Sequence, residues 1–249
     1  MTLEIVAHRG AQGETVGNTV ASFQRALDLG ADAVELDVRL TREGVPVVHH
    51  YFHVDQLTRS RPIFALSLEE VRAVRLGDSG ELIPTLLEIL DGFAGRIGLE
   101  IEIKGPEPES ANVVGNMLRG YGHDWETMEV TSYEPTLLAS FHESCPEVAT
   151  DLLLPRPEPW MGTDVMQHLA IHRARLAHAR GVHLHPSQLS RSVVAALSAH
   201  GLEVHAWDVN DARAITVVTE AGVTRLCTDK LQEALDFRRQ TAAPGVMNG

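Results

Sequence analysis

The sequence predicts an α/β protein in which a single domain closes into a (βα)8 barrel. Short β-branched runs alternate with longer amphipathic stretches almost throughout the chain, the pattern of a parallel sheet covered by helices. Eight principal strand–helix repeats can be counted, which favours closure over the alternative, an open doubly wound sheet. The 249 residues are 44% hydrophobic, enough for one sizeable core, and barrels of roughly 250 residues commonly form one unit.

Strands are expected at Leu3–Ala7, Ala33–Asp37, Val45–His50, Ile97–Ile103, Met128–Thr131, Val148–Leu153, Val182–His185, Glu203–Ala206 and Thr224–Thr228. The Val45–His50 run reads as an extension or return of the second strand, leaving eight principal strands. Helical patterns fall at about 18–29, 84–93, 109–120, 134–143, 164–179, 188–199, 211–221 and 230–239. The first places Val20, Phe23, Ala26 and Leu27 at helical spacing behind Asn18-Thr19, an N-cap pair. Phe52–Asp78 is a longer excursion with a short helix at Ser67–Val74, and the proline-rich Leu154–Pro159 loop is too short to separate domains. The barrel is expected over 1–240, with a frayed, flexible tail at 241–249.

The formal net charge of −13 disfavours nonspecific binding to nucleic acid or anionic membranes, both of which need a basic face. A small anionic substrate stays compatible, because a few local cations and a metal override the global balance. No basic segment leading into an apolar core stands at the N-terminus, and no stretch approaches the ~20 apolar residues of a membrane span; a cytoplasmic protein without stable membrane insertion is expected. Cys145 and Cys227 lie in no CxxC spacing, which argues against a disulfide framework or a cysteine-built zinc site.

Titratable residues concentrate at strand ends, which in a barrel form the active-site face. The first strand runs into His8-Arg9-Gly10. An imidazole can move a proton near neutral pH and a guanidinium forks onto phosphate oxygens; a turn with a surface arginine would read the same. Glu35 and Asp37 share one face of the second strand, and two carboxylates there repel unless a cation lies between them. A hard divalent ion answers that need, with a salt bridge as the alternative. His49-His50 ends the return strand, offering an acid/base or a surface histidine. In Leu99-Glu100-Ile101-Glu102-Ile103-Lys104, charges occupy every second position of an apolar strand. Burying them without partners would cost several kcal/mol, so they are expected to line a wet or metal-filled centre. Tyr133 and Trp207 follow later strands, and Asp229 follows the last, where it would suit a helix cap.

Taken together and in order, these segments resemble the glycerophosphodiester phosphodiesterase family over nearly the whole chain. The resemblance rests on His8-Arg9-Gly10, Asn18-Thr19 with Phe23, Glu35-Leu36-Asp37-Val38 with Thr41 and Gly44, and Pro46-Val47-Val48 leading to His50. It continues through Ile83-Pro84-Thr85-Leu86 with Glu88, Glu102-Ile103-Lys104, Ser132-Tyr133, Trp207 to Asn210, Gly222-Val223 and Thr228-Asp229. It implies a TIM barrel that hydrolyses glycerophosphodiesters to glycerol 3-phosphate and an alcohol with one divalent cation, Mg2+ or Ca2+. Carried over by position, Glu35, Asp37 and Glu102 look like metal ligands and His8 and His50 like the acid/base pair. Arg9 and Lys104 look like phosphate binders, and Tyr133 and Trp207 are candidates for substrate contact. Family spacing, not strand alternation, selects His50 over His49. The expected partner is a small-molecule phosphodiester, and a homo-oligomer stays open.

The chain departs from the family pattern twice. Val16-Gly17-Asn18-Thr19 stands where Pro-Glu-Asn-Thr is usual, and His50-Tyr51 where His-Asp is usual; Glu14 and Asp55 are the nearby carboxylates. Two rival functions are a phospholipase D-like release of cyclic phosphate from lysophospholipids and a catalytically silent ligand-binding barrel.

Overall fold

The computed structural model describes residues 3–55 and 60–242. Eight parallel strands form the sheet: β1 Glu4–Ala7, β2 Ala33–Leu40, β3 Gly98–Ile103, β4 Met128–Ser132, β5 Ala149–Leu153, β6 Gly181–Leu184, β7 Glu203–Ala206 and β8 Arg225–Thr228. Each pairs with its neighbour, and β1 pairs with both β2 and β8, so the sheet closes. That closure removes the open-sheet alternative. Pro46–Val48 returns antiparallel against β2, with Val38 opposite Val48. It stops before His49 and His50, which the sequence pattern had included in the strand.

Eight helices wrap the barrel: α1 Val20–Leu29, α2 Leu86–Phe93, α3 Glu109–Leu118, α4 Pro135–Ser144, α5 Thr163–Leu176, α6 Arg191–Ser198, α7 Ala212–Ala221 and α8 Leu231–Ala242. Their starts follow from local chemistry. Thr19 and Thr85 close capping boxes with Ser22 and Glu88, while Ser190 and Asp211 accept from the third backbone N–H of their helices. Each such cap is worth about 1 kcal/mol. The short helix expected in the excursion is Leu68–Arg72. The last helix runs to Ala242, and the remainder of the tail expected from 241 lies outside the described residues.

Strand alternation divides the side chains between two environments. Val34, Leu36 and Val38 of β2, Leu99 and Ile101 of β3, and Val130, Leu152 and Val182 point outward into one continuous core beneath the helices. Burying each such aliphatic side chain contributes about 1.5–3 kcal/mol. The inward positions are polar to an unusual degree. Register aligns Glu35 with Glu100 and Asp37 with Glu102, then Glu100 with Glu129 and Glu102 with Thr131. Val6, Ala33 and Cys227, neighbours in register, form a thin apolar cluster of their own. Charged groups lie on both sides of it: one set at the C-terminal mouth of the strands, another at their N-terminal floor.

Candidate active site

The mouth is built from the ends of β1, β2 and β3, the return after Val48, and residues following β4, β7 and β8. Together they surround a cavity of about 290 Å³ lined by His8, Arg9, Glu35, His50, Glu102 and Lys104, with Tyr133 and Trp207 among its walls. All nine residues singled out from the sequence, Asp37 included, meet there.

The β1 turn is held by close packing. Gly10 has φ +77, and a Cβ on it would lie 2.7 Å from the backbone of Ser22, so only glycine lets the turn meet α1. Arg9 itself adopts φ 55, a conformation that costs a non-glycine residue of order 1–3 kcal/mol. That turn directs the Arg9 N–H to Glu35 Oε2 at 3.0 Å and its side-chain Nε to 3.2 Å from Asp37 Oδ2. His8 Nδ1 is engaged by Asp229 and by the Gln12 amide, leaving Nε2 toward the cavity, 3.8 Å from Glu35 Oε2. Asp229 therefore serves His8 rather than only the helix that follows it. The Asn210 amide fixes Asp229 in turn, donating to Oδ2 at 3.0 Å.

Asp37 is fully buried. Asn18 Nδ2 donates to its Oδ2 at 2.7 Å, and the Asp37 N–H donates back to Asn18 Oδ1 at 3.3 Å. Lys104 Nζ lies 3.3 Å from Asp37 Oδ1 and 2.8 Å from Glu102 Oε1. Burial opposes ionisation of Asp37, but Lys104 and Arg9 outweigh it and hold its pKa below the usual range. Glu35 lies well above that range, through burial and then the charges of Asp37 and Glu102. Burial also lifts Glu102, to about 7, with Lys104 opposing and Asp37 adding to the shift.

Carboxylate repulsion thus survives the two cations. Glu35 Oε1 and Asp37 Oδ1 are buried with no hydrogen-bond partner, and one oxygen from each of Glu35, Asp37 and Glu102 lies within 4.8 Å of the others. Three converging hard oxygen donors, two of them with a buried oxygen that accepts no hydrogen bond, fit a divalent cation of the Mg2+ or Ca2+ kind.

His50 is positioned by Arg39, which the sequence reading did not single out. The buried guanidinium donates from Nε and Nη2 to the His50 carbonyl at 3.1 and 2.9 Å, and from Nη1 to the Gly105 carbonyl at 2.8 Å. Its position two residues past Asp37, continuing the alternation of Glu35 and Asp37 along the strand, was the available signal. Burial pushes the His50 imidazole down to about 4, despite Asp37 nearby. His49 does not line this cavity; its N–H donates to the Asp37 carbonyl, and its ring faces a neighbouring pocket with Gly17 and Tyr51. Tyr133 and Trp207 meet edge-to-face at 6.3 Å, and the Trp207 indole donates to the Leu154 carbonyl at 3.1 Å.

Neither nearby carboxylate fills the two departures from the family pattern. Glu14 pairs with Arg25 on the surface at 2.7 Å, and Asp55 accepts from Ser60 in an exposed loop.

At the floor, Glu129, Asp151, His183 and His205 form a second buried group whose ligand atoms could hold a metal ion. Sequence reading passed over it. These strands each carry only one or two charges, yet the criterion applied to Glu100, Glu102 and Lys104, charge on alternate positions, also marks His183, His205 and Arg225.

A closed (βα)8 barrel with carboxylates, imidazoles and cations converging at its mouth has the layout of a barrel enzyme's active site, and the family match makes the chain an enzyme of the phosphoric diester hydrolase class. The chain belongs to the glycerophosphoryl diester phosphodiesterase family, whose sequence profile matches residues 8–233. It is similar to YhdW of Bacillus subtilis, 31% identical over 235 residues that cover 90% of this chain and 93% of that protein. A glycerophosphodiester phosphodiesterase of Caldanaerobacter subterraneus is 27% identical over 249 residues, covering 95% and 98%. Among solved structures, a phosphodiesterase of Oleispira antarctica in complex with its product sn-glycerol-3-phosphate aligns with a TM-score of 0.79 at 25% identity, covering 94% and 97%. Among the described residues, no helix is long and apolar enough to cross a membrane.

Proposed function

We propose that the chain hydrolyses glycerophosphodiesters to glycerol 3-phosphate and an alcohol, with His8 and His50 as the proton-transfer pair. The observation that carries this reading is the convergence of both histidines, Arg9 and Lys104 on one cavity with a carboxylate triad holding two orphaned buried oxygens. Glu35, Asp37 and Glu102 would hold a divalent cation, which when bound neutralises charge on a phosphate oxygen.

The remaining work falls to the chain's own side chains. Arg9 and Lys104, which pair with Asp37 and Glu102, would turn part of their hydrogen-bonding capacity to the phosphate oxygens and hold the ester in line. His50, kept neutral by burial, is suited to accept a proton from the nucleophile: water, which gives glycerol 3-phosphate directly, or the glycerol 2-hydroxyl, which gives a cyclic phosphate that water opens to glycerol 3-phosphate in a second step. His8 would donate from Nε2 to the departing alkoxide, its ring oriented by Asp229 on Nδ1. Tyr133 and Trp207 would wall the alcohol side of the cavity.

The product separates this reading from cyclising transfer. Phosphorus NMR of glycerophosphocholine turnover, with Mg2+ or Ca2+ present, should show glycerol 3-phosphate as the final species. Stable accumulation of a cyclic phosphate would replace the hydrolytic reading with the phospholipase D-like one, and no turnover by the folded protein would favour a silent barrel.

A further inference from the structure

We propose that the floor of the barrel is a second metal site, separate from the mouth, in which Asp151, His183, His205 and Glu129 hold a zinc-type transition-metal ion that ties β4 to β7 together. The four side chains come from four consecutive strands: His183 lies directly opposite His205, while Asp151 and Glu129 are each offset by two residues from the register partner of the next strand, Asp151 facing Gly181 and Glu129 facing Ala149, so that all four point into the barrel within reach of one another. All four are buried.

The geometry is that of a coordination shell. His205 Nδ1 lies 3.2 Å from His183 Nε2 and 3.0 Å from Asp151 Oδ2. His183 Nε2 is 3.4 Å from Asp151 Oδ2 and 3.5 Å from Glu129 Oε1. Ligands about 2.0–2.2 Å from a tetrahedral zinc ion stand roughly 3.3–3.6 Å apart; the two separations from His183 to the carboxylates fall in that range and the two from His205 lie a few tenths of an ångström short of it. Two ring nitrogens facing each other share at most one proton in a direct hydrogen bond, whereas an ion between them serves both.

The outer nitrogens complete the pattern. His183 Nδ1 faces Glu100 Oε1 at 3.5 Å, and His205 Nε2 faces Glu203 Oε2 at 3.6 Å. A carboxylate behind each imidazole is the arrangement that orients metal-binding histidines. Asp151 Oδ1 and His183 Nδ1 are buried without hydrogen-bond partners.

Charge agrees. The buried carboxylates Glu100, Glu129 and Asp151 face one deeply buried cation, Arg225, which lies 3.2 Å from Glu100 and 3.0 Å from Glu129. A dication with neutral imidazoles balances the remainder. Arg180, half-exposed at the rim, donates to Glu129 Oε2 at 2.8 Å, reaches Asp151 at 3.3 Å, and is balanced there by Glu203 at 3.4 Å. Two imidazoles with two carboxylates favour zinc-type ions over Mg2+ or Ca2+. No cysteine is needed, so the absence of CxxC spacing does not bear on it. Access exists: His205 and Arg225 line a cavity of about 350 Å³ that opens at this end, away from the mouth. Gly181 keeps the space clear, since a Cβ there would lie 3.0 Å from Asp151 Oδ2.

The test is anomalous diffraction at the zinc edge from crystals of the full chain soaked in Zn2+, paired with visible spectra of the chelator-stripped protein titrated with Co2+. A peak among the four side chains, with the intense bands of tetrahedral Co2+ that vanish in His205→Gln, is expected. Zn2+ at ~100 times its Kd should also raise the Tm by about 5–10 °C in the unsubstituted protein. Density confined to the mouth, or Co2+ spectra unchanged in His205→Gln, would overturn the proposal. The diffraction arm needs no variant to fold and reads the two sites by position.

Discussion

Replacing Arg39 with methionine should cut turnover while leaving substrate capture nearly intact. The guanidinium touches neither the carboxylate triad nor His8; its three donors hold the His50 carbonyl twice and the Gly105 carbonyl once, at 2.8–3.1 Å, and Phe52 stacks on it at 5.5 Å. A hydrogen bond from a charged donor contributes about 1.5–3 kcal/mol net. Two of the three share one acceptor, and methionine keeps the apolar packing, so a loss of about 2–4 kcal/mol follows. For a chain of this size that lowers the Tm by about 5–15 °C. Release of the His50 carbonyl lets the imidazole drift, and a displacement of ~1 Å in a proton-transfer group costs on the order of 100-fold in rate. Steady-state kinetics should therefore show kcat falling about 100-fold with KM changed less than about threefold. Arg39→Lys, able to reach one carbonyl, should fall between. A folded Arg39→Met protein with kcat within about threefold of the parent would refute this positioning role.

Other consequences divide along the same geometry. His8→Ala and His50→Ala should each lose at least ~100-fold in kcat, whereas His49→Ala, outside the cavity, should lose far less; equal losses at 49 and 50 would reverse the assignment. Glu35→Gln should shift activation to higher added metal, seen in a titration of rate against Mg2+ or Ca2+, and an unchanged titration would remove Glu35 from the ligand set. Acid stability should track Glu129, whose burial raises its pKa while Arg225 and His183 pull it down to about 2 from an ordinary 4.5. A depressed carboxyl stabilises the fold above its unfolded pKa and loses that contribution as pH falls toward the folded value. Urea midpoints should hold from pH 7 to 5 and drop between about 4.5 and 2; a flat midpoint across that window contradicts the floor network.

Much of the fold was legible because local chemistry and hydrophobic period agree. The helices expected at about 84–93, 188–199 and 211–221 begin within a few residues of those bounds, behind the caps Thr85, Ser190 and Asp211. The return strand ended early because His49 and His50 leave the sheet to face the mouth and its neighbouring pocket. Within the site, Glu35, Asp37, Glu100 and Glu102 were readable from alternation alone. Asp229 was not, since its partner His8 lies 221 positions away and only barrel closure joins β8 to β1. Gln12 was hidden for the same reason, and alternation could mark Arg39 but not the carbonyls it holds, which tertiary structure sets. The floor cluster was passed over because no single strand carries more than part of it.

The central claim is a metal-assisted glycerophosphodiesterase at the barrel mouth, and the coupled assay of glycerol 3-phosphate release from glycerophosphocholine and glycerophosphoethanolamine tests it most directly. The account predicts release that stops on EDTA treatment and returns with Mg2+, Ca2+ or Mn2+. Release that persists in full after EDTA, or none with any of these ions from a folded protein, would contradict it.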